Sequence, residues 1–373
     1  MTPSSIRTSV GRVAATAGVL VLILVATGCL NNTPKQSGVF VTRNAGSSWD
    51  ATPDLQAPQA KQPKVYPPLS VGAVGVSPKD AKRVVAGTDD DLFQSGDGGA
   101  TWERLTEKLP TSTKAIVVHQ VVFHPGQDNT YFAVGVSGGY GKVIKTTDGG
   151  KTLQDIFTNS KPGQAVTSIA IQPESGTIFV GDQLGSIYRS ADGGTSWQRI
   201  FALGRTAVSS LTLSGNALFA GTVGGGVWRS TDGGGSFVPA GGNLPNNAQT
   251  VWALTGGFGG VYAGTDKGLY VTRDLGATWR SVGNPLPAGG ERVQALAVSG
   301  ANLYFASNAV VYRMNPEGTN FVPVQLKLAR NVFSLAASPS SAGTLYAGAS
   351  ADAADFTNRY TTGLSSFNLI PGQ

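Results

Sequence analysis

Ser95-Gly96-Asp97-Gly98-Gly99-Ala100-Thr101-Trp102 decides the fold of this chain, because the same eight-residue pattern keeps returning along it. It comes back as Ser190-Ala191-Asp192-Gly193-Gly194-Thr195-Ser196-Trp197 and as Thr272-Arg273-Asp274-Leu275-Gly276-Ala277-Thr278-Trp279. Two copies, Thr146 to Leu153 around Asp148 and Ser230 to Phe237 around Asp232, replace the Trp. The first copy, Thr42 to Trp49, carries Asn44 in place of the Asp. A seventh, Met314 to Phe321, has decayed: Gly318 and the aromatic survive, with Pro316 where the Asp is expected. The copies end at residues 49, 102, 153, 197, 237, 279 and 321, a spacing of 40 to 53 residues. That spacing fits one four-stranded blade per copy.

The residue types of the pattern are those of a tight turn. An Asp side chain accepts hydrogen bonds from backbone N–H groups just ahead of it. The Gly two residues on reaches the positive φ that other residues adopt only at a cost. The hydroxyls tie the loop to itself, and the terminal aromatic folds beneath it into the core. Short apolar runs flank each copy, such as Ser168-Ile169-Ala170-Ile171 with Thr177-Ile178-Phe179-Val180, separated by Gly turns. No helical period is sustained, so the chain reads as all-β.

Composition agrees and narrows the function classes. The chain has 373 residues, 51 of them Gly, with 40% hydrophobic and 13% charged. The glycines follow no three-residue period, which excludes collagen, and the apolar content excludes a disordered chain. One Cys excludes a disulfide framework and a Cys-based zinc site. The net charge of +6 is spread thinly, whereas a nucleic-acid binder carries a denser basic patch. No metal or other cofactor is expected.

The N-terminus reads as an export signal. Arg7 and Arg12 precede the apolar run Val13 to Val25, and Ala26-Thr27-Gly28-Cys29 follows. These residues resemble a bacterial lipobox, with Ala26 where Leu is commoner. The resemblance implies a signal peptide over 1–28 and lipidation of Cys29, with 29–37 as a tether. The alternative is an uncleaved anchor over Val13 to Leu30, just long enough to span a bilayer. Either reading puts the remaining chain outside the cytoplasm.

Complete units are expected near 70–106, 115–157, 165–201, 206–239, 248–282 and 291–325. Residues 38–50 supply only the last two strands of a unit and 331–349 only the first two. Joined, they form a seventh blade, so that 38–350 closes as a propeller. The tail 351–373 is the alternative source of an eighth blade.

Propeller topology sorts the loops. With strands A to D running outward, A–B turns and C–D boxes share one face, while B–C loops and D–A crossovers share the other. On the second face fall Asp89-Asp90-Asp91, Asp182, Asp266 and Asp352. Lys114, Arg205, Arg292 and Arg330 stand just before inner strands, where a ring of charge over low-dielectric walls would attract an anionic partner. Ordinary solvated loop charge is the plainer reading of both sets. The Asp triplet is a poor Ca²⁺ site because adjacent side chains diverge. A second basic set, Lys145, Arg189, Arg229 and Arg313, precedes several boxes, and its recurrence implies a shared structural job: capping strand ends or pairing across blades.

Catalytic spellings fail on context. Gly135-Val136-Ser137-Gly138-Gly139 matches a nucleophile elbow, but a strand rather than a helix follows it. Gly150-Lys151-Thr152 lacks the earlier Gly of a phosphate loop. His119 and His124 read as packing or turn residues.

The turn is identified as the Asp-box, or BNR repeat, shared by sialidases, sortilin-type receptors and many bacterial propellers. Its resemblance implies a structural role for Asn44, Trp49, Asp97, Trp102, Asp148, Asp192, Trp197, Asp232, Phe237, Asp274 and Trp279. Over 38–350 the chain resembles single-ring Asp-box propellers of the photosystem II stability/assembly factor-like type, and more loosely sortilin-type domains. That resemblance implies a non-catalytic scaffold binding protein at a membrane surface. A carbohydrate-binding or adhesion module and a sialidase-like glycosidase are the alternatives. Against the last, the Phe/Tyr-Arg-Ile-Pro segment of sialidases is absent, and of five Glu only Glu291 is placed on the active face.

Overall fold

A computed structural model describes residues 38–53, 55, 69–113, 115–204, 206–245, 248–282, 286, 291–319, 322–324, 326 and 331–350. The export signal, Cys29, the tail 351–373, and Lys114, Arg205 and Arg330 lie outside these residues. Among the described residues no helix is long and apolar enough to cross a membrane.

Among the described residues, twenty-eight strands build seven four-stranded antiparallel sheets. The described residues open with β1 (Gly38–Thr42) and β2 (Asp50–Ala51). Blade 1 follows as β3 (Val71–Val76), β4 (Val84–Thr88), β5 (Leu92–Ser95) and β6 (Glu103–Arg104), and blade 2 as β7 (Val117–Phe123), β8 (Tyr131–Ser137), β9 (Tyr140–Thr146) and β10 (Gln154–Thr158). Blade 3 holds β11 (Val166–Ile171), β12 (Ile178–Asp182), β13 (Ser186–Ser190) and β14 (Gln198–Ala202). Blade 4 holds β15 (Val208–Ser214), β16 (Ala217–Thr222), β17 (Val227–Ser230) and β18 (Val238–Pro239). Blade 5 holds β19 (Val251–Gly257), β20 (Gly260–Thr265), β21 (Gly268–Thr272) and β22 (Arg280–Val282). Blade 6 holds β23 (Ala295–Ser299), β24 (Asn302–Ser307), β25 (Val310–Met314) and β26 (Val322–Val324). The described residues end in β27 (Val332–Ala337) and β28 (Leu345–Ala349).

The seventh blade has the order β2-β1-β28-β27. Its central seam pairs Gly38 with Ala349 and Thr42 with Leu345, three residues between them continuing the register. The innermost strands β3, β7, β11, β15, β19, β23 and β27 neighbour one another in a closed cycle. The architecture is a seven-bladed β-propeller.

Burial explains why the strands do not alternate as half-exposed strands would. Every residue of β3, β4, β11, β12, β16 and β20 is buried, because each blade is covered on both faces by its neighbours. The outermost strands are short and exposed, as in β2, β6 and β18, which leaves little free edge for another chain to pair with. Seven hydrophobic clusters form, one per seam between blades. At roughly 1.5–3 kcal/mol for each fully buried large apolar side chain, these seams hold the ring.

Candidate functional site

The Asp-boxes close the C–D corners through one repeated hydrogen-bond set. In blade 3 the Ser190 hydroxyl donates to Asp192 Oδ1 at 2.8 Å and accepts from Gly194 N at 2.8 Å. Asp192 also accepts from Ser196 N at 2.9 Å and from the Ser196 hydroxyl at 2.5 Å. The same bonds recur around Asp97, Asp148, Asp232 and Asp274, and Asn44 accepts in the same way from Ser48. Two consecutive residues adopt positive φ, Gly193 at 71° and Gly194 at 103°. The second fits only Gly, since a Cβ there would lie 2.5 Å from Ile156 Cδ1 of blade 2. The hydroxyls just before the terminal aromatic position drive the box carboxyls down: those of Thr152, Ser196 and Ser236 hold Asp148, Asp192 and Asp232 well below the usual range, and that of Thr278 brings Asp274 to about 2. Slight burial opposes the shift at Asp97, but bonds from Thr101 and Ser95 still bring it to about 2.

The seventh box is set one residue earlier than its spelling suggests. Asn315, not the position of Pro316, acts as the acceptor: its Oδ1 takes Thr319 N at 2.8 Å and its Nδ2 donates to the Thr319 hydroxyl at 2.7 Å. Pro316 has no side-chain acceptor, and the turn survives because the neighbouring amide replaces the carboxylate.

Three of the four basic residues that precede the boxes latch one blade to the next. Lys145 Nζ donates to Gly193 O at 2.7 Å, Arg313 Nη1 to Ala45 O at 3.1 Å, and Arg229 Nη1 to Leu275 O. Gln94, at the same repeat position, donates to Gly149 O at 2.9 Å. Where Val occupies that position a neighbour substitutes: Arg43 donates to Gly98 O at 3.2 Å and Arg280 to Glu317 O at 3.5 Å. Two of the four box tryptophans bind backwards, Trp197 Nε1 to Ile156 O and Trp279 Nε1 to Ala240 O, both at 2.8 Å, while Trp49 and Trp102 Nε1 have no acceptor.

On the opposite face the structure reveals a feature the sequence reading missed. Gly72, His119, Thr167, Ser209, Trp252, Gln294 and Phe333 each follow a buried Val at the start of an inner strand and all line the central channel, whose volume is about 310 Å³. In every blade except the sixth this residue is the bulged one, where the register between the two inner strands shifts. A bulge adds one unpaired residue and re-aims its side chain, here into the channel. Several then bind the next blade: His119 Nδ1 contacts Val166 O at 3.0 Å, Thr167 donates to Val208 O at 2.5 Å, and Gln294 donates to Val332 O at 3.1 Å. One residue further on, Gln120, Ser210 and Ser334 accept from Ile169 N, Leu254 N and Val74 N of the next blade. The available signal was the Val-X pair recurring before each inner strand.

The acidic residues expected on this face are committed. Asp182 is fully buried, and its Oδ1 accepts from Leu184 N at 2.9 Å and Ser186 N at 2.8 Å, so it closes its own B–C turn. Burial raises its pKa, against those bonds. Asp266 accepts from Trp252 Nε1 at 2.6 Å and pairs with Arg292 Nε at 3.3 Å. The Arg292 guanidinium lies over the Trp252 ring at 5.1 Å, and Lys267 pairs with Glu291 at 2.8 Å. These residues form one compact charged corner beside the channel mouth. Arg104 gathers two residues of the Asp triplet, binding buried Asp91 and pairing with Asp90 at 3.6 Å. His124 accepts from Gly126 N at 3.1 Å in an A–B turn, and Ser137 ends a strand whose hairpin leads directly into β9. Among the described residues no three His, Cys, Asp or Glu side chains converge as a metal site requires.

Fold and turns together define a single-ring, seven-bladed Asp-box propeller. Within that class the chain resembles the photosystem II assembly factor Ycf48. The family model described as photosynthesis system II assembly factor YCF48 matches residues 73–233. The photosystem II assembly lipoprotein Ycf48 of Synechococcus sp. (strain CC9902) is 25% identical over 136 residues, which covers 36% of this chain and 38% of that protein. The chain thus matches about two fifths of that relative's length. Among solved structures, YCF48 from Cyanidioschyzon merolae superposes with a TM-score of 0.57 at 15% identity, over 75% of this chain and 95% of that one. A structure of YCF48 bound to D1 peptide gives 0.56 at 20% identity, over 80% and 99%. The GH74 xyloglucanase of Xanthomonas campestris gives 0.62 at 18% identity, over 77% of this chain and about half, 52%, of the enzyme. At these identities the superpositions establish the fold.

Proposed function

We propose that this chain is a non-catalytic assembly or stability factor: a propeller held outside the cytoplasm by lipid on Cys29, which binds a segment of a protein partner at the channel-mouth face. The observation that carries the reading is the engagement of Asp182 and Asp266, loop acids of the channel-mouth face. Asp182 is sealed inside its own turn, and Asp266 is held by Trp252 and Arg292. A pair of carboxyls flanking a scissile glycosidic bond must have one free to protonate the leaving oxygen and the other free to attack or activate water. What the face offers instead is recognition: a polar channel rim with a charged corner of Arg292, Asp266, Lys267 and Glu291. A Ycf48 structure with bound D1 peptide supports a peptide as the ligand class, and the lipoprotein name of the Synechococcus relative supports the anchor.

The test is capture of partners by the lipidated, tagged protein from its own membrane, compared with an Arg292→Ala/Lys267→Ala variant. A membrane-protein client retained by the wild type and lost by the variant is expected. Cys29→Ala is expected to move the protein from membrane to soluble fractions. The second reading, a carbohydrate-binding or hydrolytic module, is favoured by the likeness to the xyloglucanase. Turnover of xyloglucan, another β-glucan or a sialoside that is abolished by Asp182→Ala or Asp266→Ala would replace the scaffold reading with that one.

A further inference from the structure

Six of the seven seams on the Asp-box face are latched by a side chain donating to the box of the following blade. At the seam between blades 3 and 4 the repeat position carries Arg189, and the matching box carbonyl belongs to Gly233. No such latch forms there among the described residues. Arg189 Nε has no acceptor, as is also true of Arg229 Nε, but Arg229 makes its latch through Nη1 and Arg189 makes none. A cleft of about 440 Å³ opens at this seam, with both Arg189 and Gly233 in its wall. Gln172, Asn216, Phe179 and Leu213 also line it, the first two joined by a 3.2 Å hydrogen bond.

We infer that this open seam is a binding site for a peptide group of a protein partner, the partner's carbonyl accepting from Arg189 and its N–H donating to Gly233 O. At the six other seams a side-chain donor reaches the box carbonyl of the next blade, whereas Arg189 reaches none, and a donor left without an acceptor is costly. Here Arg189 and Gly233 share the wall of a cleft without bonding each other, and an amide is a small group that supplies one acceptor and one donor together. Charge selects the amide over a carboxylate: among the described residues Arg189 is the single cation in the wall, facing Glu174 and Asp232. Phe179 and Leu213 supply an apolar floor for the side chain next to the bound peptide group. The inference deepens the scaffold reading on which it rests, adding a contact on the face opposite the channel mouth.

The site is tested by titrating ¹⁵N-labelled protein with N-methylacetamide and, separately, sodium acetate, following the Arg189 Nε–H and Gly234 N–H resonances. N-methylacetamide is expected to shift both saturably, and acetate neither. In Arg189→Lys the new ammonium reaches Gly233 O as Lys145 reaches Gly193 O, so the Gly234 response is lost while the rest of the spectrum is unchanged. Arg189→Met, which keeps the aliphatic stem without the guanidinium, is expected to lose it as well. No saturable shift, a stronger response to acetate, or a Gly234 response that persists in both variants overturns the inference. Client capture at the channel-mouth face is read separately: capture that persists while N-methylacetamide fails to bind removes this site and leaves the scaffold reading standing, and the reverse result removes that reading alone.

Discussion

Within each box the two positive-φ positions answer to different physics, and two Gly→Ala changes in blade 3 separate them. At Gly193, φ is 71° and the nearest atom to an added Cβ is Lys145 Nζ at 3.4 Å, the mobile end of a side chain. The cost there is the left-handed backbone alone, about 1–2 kcal/mol. Leu275 and Ala45 occupy this position in other blades at φ 57°, so a side chain is tolerated. At Gly194, φ is 103° and the added carbon would meet Ile156 Cδ1 at 2.5 Å and Cβ at 3.1 Å. Overpacking of that kind adds about 1–3 kcal/mol to the backbone cost, for a total of roughly 2–5 kcal/mol. Urea unfolding followed by Trp fluorescence measures both, and an unchanged slope with a lowered midpoint marks a true stability loss. Ile156→Ala, destabilising by itself, is expected to recover the steric share of the Gly194→Ala loss in the double variant. Equal losses at the two glycines, or no coupling to Ile156, would refute the idea that the fifth box residue is Gly because a neighbouring blade presses on it.

The box carboxyls titrate lower in the folded ring than in the unfolded chain, so the stability they contribute is complete above about pH 4, the unfolded carboxylate range. It is lost as pH falls through the folded values, about 2 for Asp97 and Asp274, and a urea midpoint measured from pH 6 downward is expected to drop in that window and less steeply in Asp97→Asn/Asp274→Asn. Trp197→Phe removes a 2.8 Å bond and strands Ile156 O, a loss of about 1–2 kcal/mol, whereas Trp102→Phe, whose Nε1 has no acceptor, is expected to cost less in the same unfolding assay. Lys145→Met cuts one blade-to-blade latch together with the ammonium's contact over the Phe132 ring at 5.8 Å, and a loss of about 0.5–1.5 kcal/mol is expected. Refolding yield well below wild type for that variant, with native stability unchanged, would instead assign the latch to assembly of the ring.

Much of the ring was readable from the chain because its turns are local. Whether Asp192 closes on Ser190 and Ser196 is settled within a single turn of the chain, so every well-spelled box formed where the pattern stood. The decayed copy shows where spelling stops: Asn315 rather than the Pro316 position carries the turn, since an amide one residue earlier meets Thr319 with equal geometry. Asp182 shows the same limit. A B–C loop Asp reads as exposed, yet two backbone N–H groups and the covering neighbour blades drew it inside.

By itself the amino-acid order determined the repeat, the class of fold and the composition of each turn, all of which depend on contacts between residues near one another in the chain. Tertiary structure alone decided the channel rim of His119, Thr167, Ser209, Trp252, Gln294 and Phe333, the latches running from blade to blade, and the one seam left unlatched at Arg189. Each of these joins residues a whole blade apart in the chain, and their partners come within hydrogen-bond range only once the blades have packed and β1 has paired with β28.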